Sequence, residues 1–503
     1  MIIWGWTGMS HDASLAVFKQ SRKGLSDKSE LKLLFAAHSE RYSRIKNDKN
    51  LHQDLISEAL TYGEPAEIYY YEKPWLKKTR QLYAGQYKLL RKESPTSYMR
   101  KFYKDAPKST TTSHHLSHAA AGYYTSNFND AAVLVVDSIG EWDTISVWRG
   151  KDNKLKRKWH QTYPDSVGIW YSAMTQRLGL KPQEHEYILM GMSAIGNASR
   201  VYPRMRKDFI LKMPTVDDPR VVFKDNYHRG CMKWAPELTS VQDYADIAAA
   251  AQQLYEEIFD GLLQYTKRHT GTDNLVLMGG CILNCVANNI ATRYYKNVWI
   301  MPNPGDAGSA IGAVLAHKKE FIDYDVYSGT DIPGEYPVDE IIDELIEKKI
   351  TAVASGRAEF GPRALGHRSI LADPRGPDVK DRVNSIKHRE AFRPFAPMIL
   401  EEDVSDYFEM PVDSSPYMQY IARCKYPELF PAIIHYDGTS RVQTVGLTDC
   451  PDVRSLLLEW KARTGCPMLL NTSLNIKGEP LVNSSADAER WTEKYGVKVC
   501  LPK

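Results

Sequence analysis

The chain has 503 residues, 43% of them hydrophobic and 25% charged, with a formal net charge of +3. That length exceeds one compact core and predicts two domains, and the composition excludes a disordered or fibrous chain. No run of eighteen apolar residues occurs, and the first six residues lack a basic start and a signal-like apolar stretch, so a cytoplasmic protein with no membrane partner is expected. Seven scattered cysteines, an odd number, predict free thiols in a reducing compartment.

Taken in order, residues 2–6, 13–18 and 31–38 are strand-like between polar turns and predict a mixed sheet that opens on a hairpin. The first turn carries His11 beside Asp12 at a strand-turn-strand tip. That pair suits a base near a phosphate loop, and ordinary turn polarity accounts for it equally well. Residues 73–108 hold eleven Lys/Arg against Glu93 and Asp105, with Tyr83, Tyr87, Tyr98, Phe102 and Tyr103 among them. Cations interleaved with aromatics suit a polyanion; a solvated helix with its tyrosines turned inward gives the same pattern.

Thr112-Ser113-His114-His115-Leu116-Ser117-His118 follows. Ser113 predicts an N-cap for a helix that runs to about Tyr124. His114 and His118 are four apart and share one face, with His115 and His118 as the alternative pair. Two imidazoles with Asp137 and Asp306 as candidate carboxylates suit divalent iron, zinc or manganese. Residues 131–137 predict a buried strand ending at Asp137. The turn after it, through Gly140, Glu141 and Asp143, carries more acids than a hairpin needs and could cradle phosphate or metal. The basic run 151–158 reads as a hairpin tip, and 247–264 has helical periodicity.

Residues 275–278 form a short apolar strand that enters Gly279-Gly280 and then a helix over 282–293. Residues 298–301 repeat the pattern, entering a glycine turn with Asp306 and Gly308 and then an Ala/Gly-rich helix. Strand, glycine turn and helix together aim amide N–H groups and a helix N-terminus at phosphate. Pro333, Gly334 and Pro337 predict a domain boundary near residue 335.

Beyond it, the strand 350–354 delivers a glycine- and arginine-rich turn, Gly356 to Ser369. Arginine forks bind oxyanions in two-pronged fashion. Lys387, Arg389 and Arg393 form a second cationic stretch. Asn471-Thr472-Ser473-Leu474-Asn475 is polar and uncharged. The three segments predict a pocket for a phosphate-bearing small molecule.

His11 to Ser14, Glu40 to Arg44, the His114/His118 motif, Asp137 to Glu141, Gly279-Gly280 through Asn284 and Asn288, Asp306 and the three C-terminal segments occur in one order. In that order they resemble the O-carbamoyltransferases of the NodU/CmcH family over nearly the whole length. The resemblance implies an α/β chain of two domains. Residues 1–335 would form an actin-like ATPase domain of two ribonuclease-H-like halves with a metal between them. Residues 336–503 would form an α/β domain resembling threonylcarbamoyl-AMP synthase, the YrdC-like fold.

The implied chemistry has two steps. Carbamoyl phosphate and ATP give carbamoyl-adenylate in the C-terminal domain, and the carbamoyl group then passes to an acceptor hydroxyl in the N-terminal domain, releasing AMP. By this resemblance His114, His118, Asp137 and Asp306 hold the metal, Fe2+ first with Mn2+ or Zn2+ as alternatives, and Mg2+ accompanies ATP. His11 deprotonates the acceptor with Asp12 beside it. Gly140, Glu141, Gly279, Gly280, Asn284 and Gly308 serve the nucleotide. Arg363, Lys387, Arg389, Arg393, Ser473 and Asn475 bind carbamoyl phosphate or the adenylate. Arg363, Lys387 and Arg393 also act in catalysis, whereas Arg368 is expected to be structural.

Some positions depart from the family pattern: Ser138 stands where glycine is usual, Ile188 where lysine is expected, and Cys281 and Ile282 replace smaller or similar apolar residues. The acceptor is open between a hydroxymethylpyrimidine in DNA or its nucleotide and a hydroxyl of a sugar or other small natural product. tRNA threonylcarbamoylation and an actin-like nucleotide-binding regulator without transferase activity are readings of other kinds.

Overall fold

The computed structural model describes every residue except 23–28, 88–92, 390–392 and 394. Near the start, β1 (Ile2–Thr7), β2 (Ser14–Arg22) and β3 (Ser29–His38) form an antiparallel meander, and β4 (Pro65–Tyr70) and β5 (Ser109–Thr111) continue the sheet in parallel. The order is β3-β2-β1-β4-β5. The meander β6 (Asp130–Gly140), β7 (Asp143–Lys151) and β8 (Lys154–Thr162) begins a second sheet. After a short ribbon of β9 (Ile210–Lys212) and β10 (Val222–Phe223), this sheet gains the parallel strands β11 (Asn274–Met278) and β12 (Asn297–Ile300). Its order is β12-β11-β6-β7-β8.

Read from the meander outward, the two sheets have the same order and the same sense at every pairing. That repetition is the duplicated architecture of the actin-like fold. The helices His114–Thr125 and Ser309–Lys318 lie between the sheets. Ala119, Ala120, Ala310, Ile311 and Val314 pack there with Ile3 and Phe18 of one sheet and Val133 and Val135 of the other. Small residues let the two helices touch. A β-carbon on Gly312 would stand 1.8 Å from the Ser117 carbonyl oxygen, so only glycine fits.

The segment over 282–293 is broken rather than one helix. Only Cys285–Asn288 is α-helical, flanked by tighter turns at Gly280–Leu283 and Asn289–Arg293. The predicted helix over 247–264 is the middle of a longer one, Val241–Thr270, closed by a Ser240–Asp243 capping box and by left-handed Gly271.

The C-terminal part centres on a six-stranded mixed sheet. Its order is Gln443–Val445, Ala396–Leu400, Met468–Ser473, Arg368–Ala372, Ile350–Ala354, Val499–Cys500. The fully buried Trp460 and Trp491 anchor the helices Pro451–Thr464 and Ser485–Tyr495 onto it. Among the described residues no helix is long and apolar enough to cross a membrane.

The segment Glu40 to Arg44 joins the two parts. Buried Arg41 donates to the Gly361 carbonyl at 3.0 Å, and Arg44 donates to the Leu481 and Pro480 carbonyls at 2.7 and 2.8 Å.

Candidate active site

The first cluster forms where the two repeated sheets face each other. His114 and His118 come from the first turns of the helix His114–Thr125, Asp137 from β6, and Asp306 from the turn after β12. All four are buried, and one donor atom from each lies within 4.8 Å of the others. The two Nε2 atoms are 3.0 Å apart. His114 Nε2 is 3.4 Å from Asp137 Oδ2 and 3.3 Å from Asp306 Oδ1, and His118 Nε2 is 3.3 Å from the same Asp306 oxygen. Two imidazole nitrogens and two carboxylate oxygens aimed at one buried point are a donor set for a divalent transition ion. The set therefore fits the metal that the resemblance implies.

The charges hold one another in place. Burial opposes ionisation of Asp137, but the His114 ring outweighs it and lowers the carboxyl to about 2. Asp306 is likewise held well below its usual value by the imidazoles around it, against the cost of burial. Of the alternative histidines, His115 is excluded from the cluster. Its Nδ1 hydrogen-bonds Ser146 Oγ at 2.7 Å, and burial lowers it to about 3, so it stays neutral.

Local structure explains the aim of each ligand. Ser113 sits at the N-cap, but its side chain does not cap the helix. Glu141 does that work from the β6–β7 turn: its carboxylate accepts the backbone N–H of His114 at 3.3 Å and that of Lys73. The turn is a two-residue hairpin, with Gly140 paired to Asp143. A β-carbon on Gly140 would lie 2.1 Å from His114 Cδ2, so this position must stay bare for the ring to reach the cluster. The Gly280 N–H donates to Asp137 Oδ1 at 3.1 Å and fixes the second carboxylate.

His11 stands at the rim of the cluster, its side chain 43% exposed. Its Nδ1 is 3.0 Å from Asp12 Oδ2, and its Nε2 is 3.4 Å from Asp306 Oδ2. Loss of solvent on its inner face works against charge on the ring, yet Asp306 and Asp12 outweigh that and raise His11 to about 9.

Of the residues matched to the nucleotide, Gly280 borders Asp137, Gly279 packs against the Val136 backbone, and Gly140 borders His114. Asn284 is committed inside the protein: it caps the Ala287 N–H and pairs with Gln252 in both directions. Glu141 is committed as above, and burial pushes its carboxyl to about 7. Gly308 packs against the Asn303 carbonyl.

The C-terminal candidates fall into two groups. Arg363, Arg389 and Arg393 line a cavity of about 480 Å³. Tyr187, Gln252, Glu256 and Cys285 from the N-terminal part form its other wall. Lys387, Ser473 and Asn475 form a separate cluster, in which the Lys387 ammonium donates to the Ser473 carbonyl at 2.6 Å, to Ser473 Oγ at 3.1 Å and to Asn475 Oδ1. Burial, then Arg389 and Arg393, hold Lys387 well below its usual value. Arg363 is lowered to about 9 by burial and by the Arg441 and Arg393 cations.

Arg368 is fully buried and donates to the carbonyls of Ser355, His367, Thr330 and Asn483, the contacts of a structural residue. Ile188 is buried, which leaves no room there for a solvated lysine. The Ser138 carbonyl accepts a hydrogen bond from Ser166 Oγ.

Sequence reading passed over Arg441 and His435, both in the cavity wall, and Tyr71, whose ring lies 5.2 Å from that of His114. The signal for the first two was modest: a histidine, an aspartate and an arginine within seven residues of loop.

The basic stretch is partly neutralised. Lys77 pairs with buried Glu72 at 2.8 Å, Lys101 with Glu93 at 2.8 Å, and buried Arg80 donates to the Glu141 carbonyl. Lys88, Arg91 and Lys92 lie outside the described residues.

Comparison with known proteins gives the following. Residues 9–315 match the family described as Carbamoyltransferase N-terminus, and residues 342–501 match Carbamoyltransferase C-terminus. The protein sll1178 of Synechocystis sp. is 34% identical, with 77% of this chain and 74% of that protein covered. Nodulation protein NolNO of Sinorhizobium fredii is 31% identical over 76% of this chain, which spans 62% of that relative's length. Nodulation protein U of the same species is 37% identical over 49% of this chain and 48% of its own. Among solved structures, component A of the (R)-2-hydroxyglutaryl-CoA dehydratase of Acidaminococcus fermentans aligns at 12% identity with a TM-score of 0.31, over 63% of this chain and 99% of that one.

Proposed function

The chain belongs to the carbamoyltransferase family, and on that premise we propose that it uses carbamoyl phosphate and ATP to make carbamoyl-AMP and then carbamoylates an acceptor hydroxyl. The observation that carries the reading is the buried His114–His118–Asp137–Asp306 cluster with the His11–Asp12 pair at its open edge. A cation held there supplies a Lewis acid for adenylate phosphate. The matched stretches end and begin on either side of residue 335, which supports residues 1–335 as the transfer domain and 336–503 as the adenylate-forming, YrdC-like domain.

Water cleaves carbamoyl phosphate to carbamate and phosphate; a carbamate oxygen attacks the α-phosphorus of ATP, and pyrophosphate leaves. Arg363, Arg389 and Arg393 offset the negative charge on the phosphates. The Lys387 ammonium, seated between Ser473 and Asn475, orients the carbamoyl end. In the second step the acceptor oxygen attacks the carbamoyl carbon, AMP departs, and the acceptor proton goes to His11. His11 can take that proton only when neutral, which requires compensation of the Asp306 charge beside it. Asp12 then steadies the ring through Nδ1.

The acceptor we favour is a hydroxymethylpyrimidine, in DNA or as a nucleotide. Trp75, Tyr83 and Tyr87 are 62%, 70% and 68% exposed. The Tyr83 ring is 5.5 Å from Trp142, the neighbour of Glu141. The exposed Tyr83 face, which reaches the β6–β7 turn through Trp142, offers stacking worth about 1–3 kcal/mol per base. A small sugar or natural-product hydroxyl is the second reading, favoured by the ion pairs of Lys77 with Glu72 and Lys101 with Glu93 and by the burial of Arg80, which leave fewer cations for a polyanion.

The test is mass spectrometry of the protein incubated with carbamoyl phosphate, ATP, magnesium and iron, with and without hydroxymethylcytosine DNA. Carbamoyl-AMP with a DNA base heavier by one carbamoyl group is the expected result. Carbamoyl-AMP alone moves the acceptor to small hydroxyls, and absence of both from metal-loaded protein refutes the reading.

A further inference from the structure

Tyr71 follows directly on β4 and lies beside the metal cluster without belonging to it. It is fully buried, yet among the described residues its hydroxyl has no hydrogen-bond partner. A buried phenol without a partner costs free energy, and most such groups in folded proteins find one. The ring itself is firmly seated. It meets the Tyr70 ring edge-on at 5.2 Å and lies 5.2 Å from the ring of His114. The Tyr71 carbonyl accepts a hydrogen bond from Ser117 Oγ at 2.9 Å, which ties this residue to the helix that carries both histidines.

The carboxylates around the hydroxyl show which way it looks. Burial, then the negative charges of Glu72, Asp306 and Asp12, hold the phenol well above its usual value. It therefore keeps its proton, as an ordinary phenol does at neutral pH, and remains a donor. Asp306 and Asp12 are the same two carboxylates that act on His11. Tyr71 and His11 thus border one space at the open edge of the cluster. Each of the three carboxylates is engaged elsewhere. Glu72 takes the Lys77 ammonium at 2.8 and 3.0 Å and the Tyr70 hydroxyl at 3.0 Å. Asp12 faces His11 Nδ1 at 3.0 Å. Asp306 turns one oxygen to His114 and His118 and the other to His11. The Tyr71 hydroxyl is left as a rigid, uncharged donor with nothing of the protein to donate to.

We propose that Tyr71 is a catalytic residue of the transfer step, whose hydroxyl donates a hydrogen bond to the carbonyl oxygen of the carbamoyl group while the acceptor attacks. The proposal rests on the two-step reading above and deepens its second step. As the acceptor oxygen bonds to the carbamoyl carbon, the carbonyl electron pair moves onto oxygen, and Tyr71 stabilises that oxyanion. The pair then returns, the bond from carbon to the phosphate oxygen breaks, and AMP leaves. The acceptor proton goes to His11, and Tyr71 keeps its own. A donor held in place before the reaction stabilises developing charge without having to reorganise.

The experiment compares full-length, metal-loaded wild type with Tyr71→Phe, which keeps the ring and removes only the hydroxyl. Both receive carbamoyl phosphate and ATP. The acceptors are hydroxymethylcytosine DNA, free hydroxymethylcytidine, and water alone, read as AMP release. In Tyr71→Phe, carbamoyl-AMP should form at the wild-type first-turnover rate and accumulate. The kcat for AMP release should fall by about 100- to 1000-fold, the loss seen when one oxyanion donor is removed. The KM for the acceptor should stay unchanged, because the lost contact belongs to the transition state. Bound metal should be unchanged, and the melting temperature equal or higher, since a buried hydroxyl without a partner has been removed.

Wild-type AMP release in Tyr71→Phe overturns the proposal and leaves the hydroxyl to a buried water. Slow release together with lost metal or a lower melting temperature overturns it as well, because the hydroxyl would then be structural. A wild type that makes carbamoyl-AMP keeps the two-step reading whichever way the variant behaves. A wild type that makes none refutes that reading and this proposal with it.

Discussion

Replacing Gly140 by alanine tests whether the His114 ring is held where a metal ion needs it. The added β-carbon would stand 2.1 Å from Cδ2, 2.4 Å from Cγ and 2.8 Å from Nε2 of that ring. Carbon atoms settle near 3.5 Å, so ring or turn must give by about 1.4 Å. The ring has little room, with Tyr71 at 5.2 Å and His118 at 4.8 Å between centroids. The backbone of Gly140 is not in the left-handed region, so alanine brings no backbone strain and its effect falls on the ring. Overpacking of this kind costs roughly 1–3 kcal/mol, which leaves a folded protein. Metal ligation tolerates only about 0.2 Å of error in a ligand distance. Gly140→Ala should therefore keep its unfolding transition within a few degrees of the wild type. Bound metal, measured by elemental mass spectrometry after dialysis against a metal buffer, should fall by at least about 10-fold. Carbamoyl transfer should fall by about 100-fold or more. Stoichiometric metal and wild-type transfer in Gly140→Ala would refute the claim that His114 is a ligand.

Three further outcomes are expected. His38 is buried beside Asn303, and burial with the Arg41 cation lowers it to about 3. The unfolded chain then binds the extra proton between pH 6.5 and about 3. Stability is thus full above pH 6.5 and falls by about 1.4 kcal/mol per pH unit below it; urea midpoints across that window should show the slope, and His38→Gln should flatten it. Lys387 is a cation held below its usual value by burial and by Arg389 and Arg393, so its charge opposes folding at neutral pH. Lys387→Met should melt at the wild-type temperature or higher while carbamoyl-AMP formation is lost, and a lower melting temperature would contradict this. Arg44→Ala removes the donors to the Leu481 and Pro480 carbonyls and should cost roughly 1–3 kcal/mol in denaturant unfolding, with metal content unchanged.

Much of the metal centre was legible in the sequence because its key signal is local. His114 and His118 are one helical turn apart, so a helix alone puts them on one face. The β6–β7 hairpin and the strand-turn units at Gly279 and Asp306 were also visible, as changes of period ending in glycine. The segment 282–293 was misread as one helix because apolar and small residues there fit the helical period, whereas the chain is needed in tight turns around Asn284 and Asn289. Ser113 looked like the cap by residue type, yet the capping carboxylate belongs to Glu141, 27 residues beyond His114. His435 and Arg441 gave little signal, because a loop arginine and histidine have no period and gain meaning only from the wall they share.

By itself the sequence determined the family, through motifs kept in one order, and the identities of the donors that can meet at a buried cation; the repeated halves were implied only by the family resemblance. The donors follow from short-range rules: side-chain period, glycine at turns, and the fixed spacing of a helix. Only the tertiary structure decided that His115 stays out of the cluster, that the cationic C-terminal residues divide between two places, and that a cavity opens between the parts with Tyr187 and Cys285 opposite Arg441. These outcomes depend on which atoms lie within a few ångströms across hundreds of residues, where burial and neighbouring charge set the state of each group.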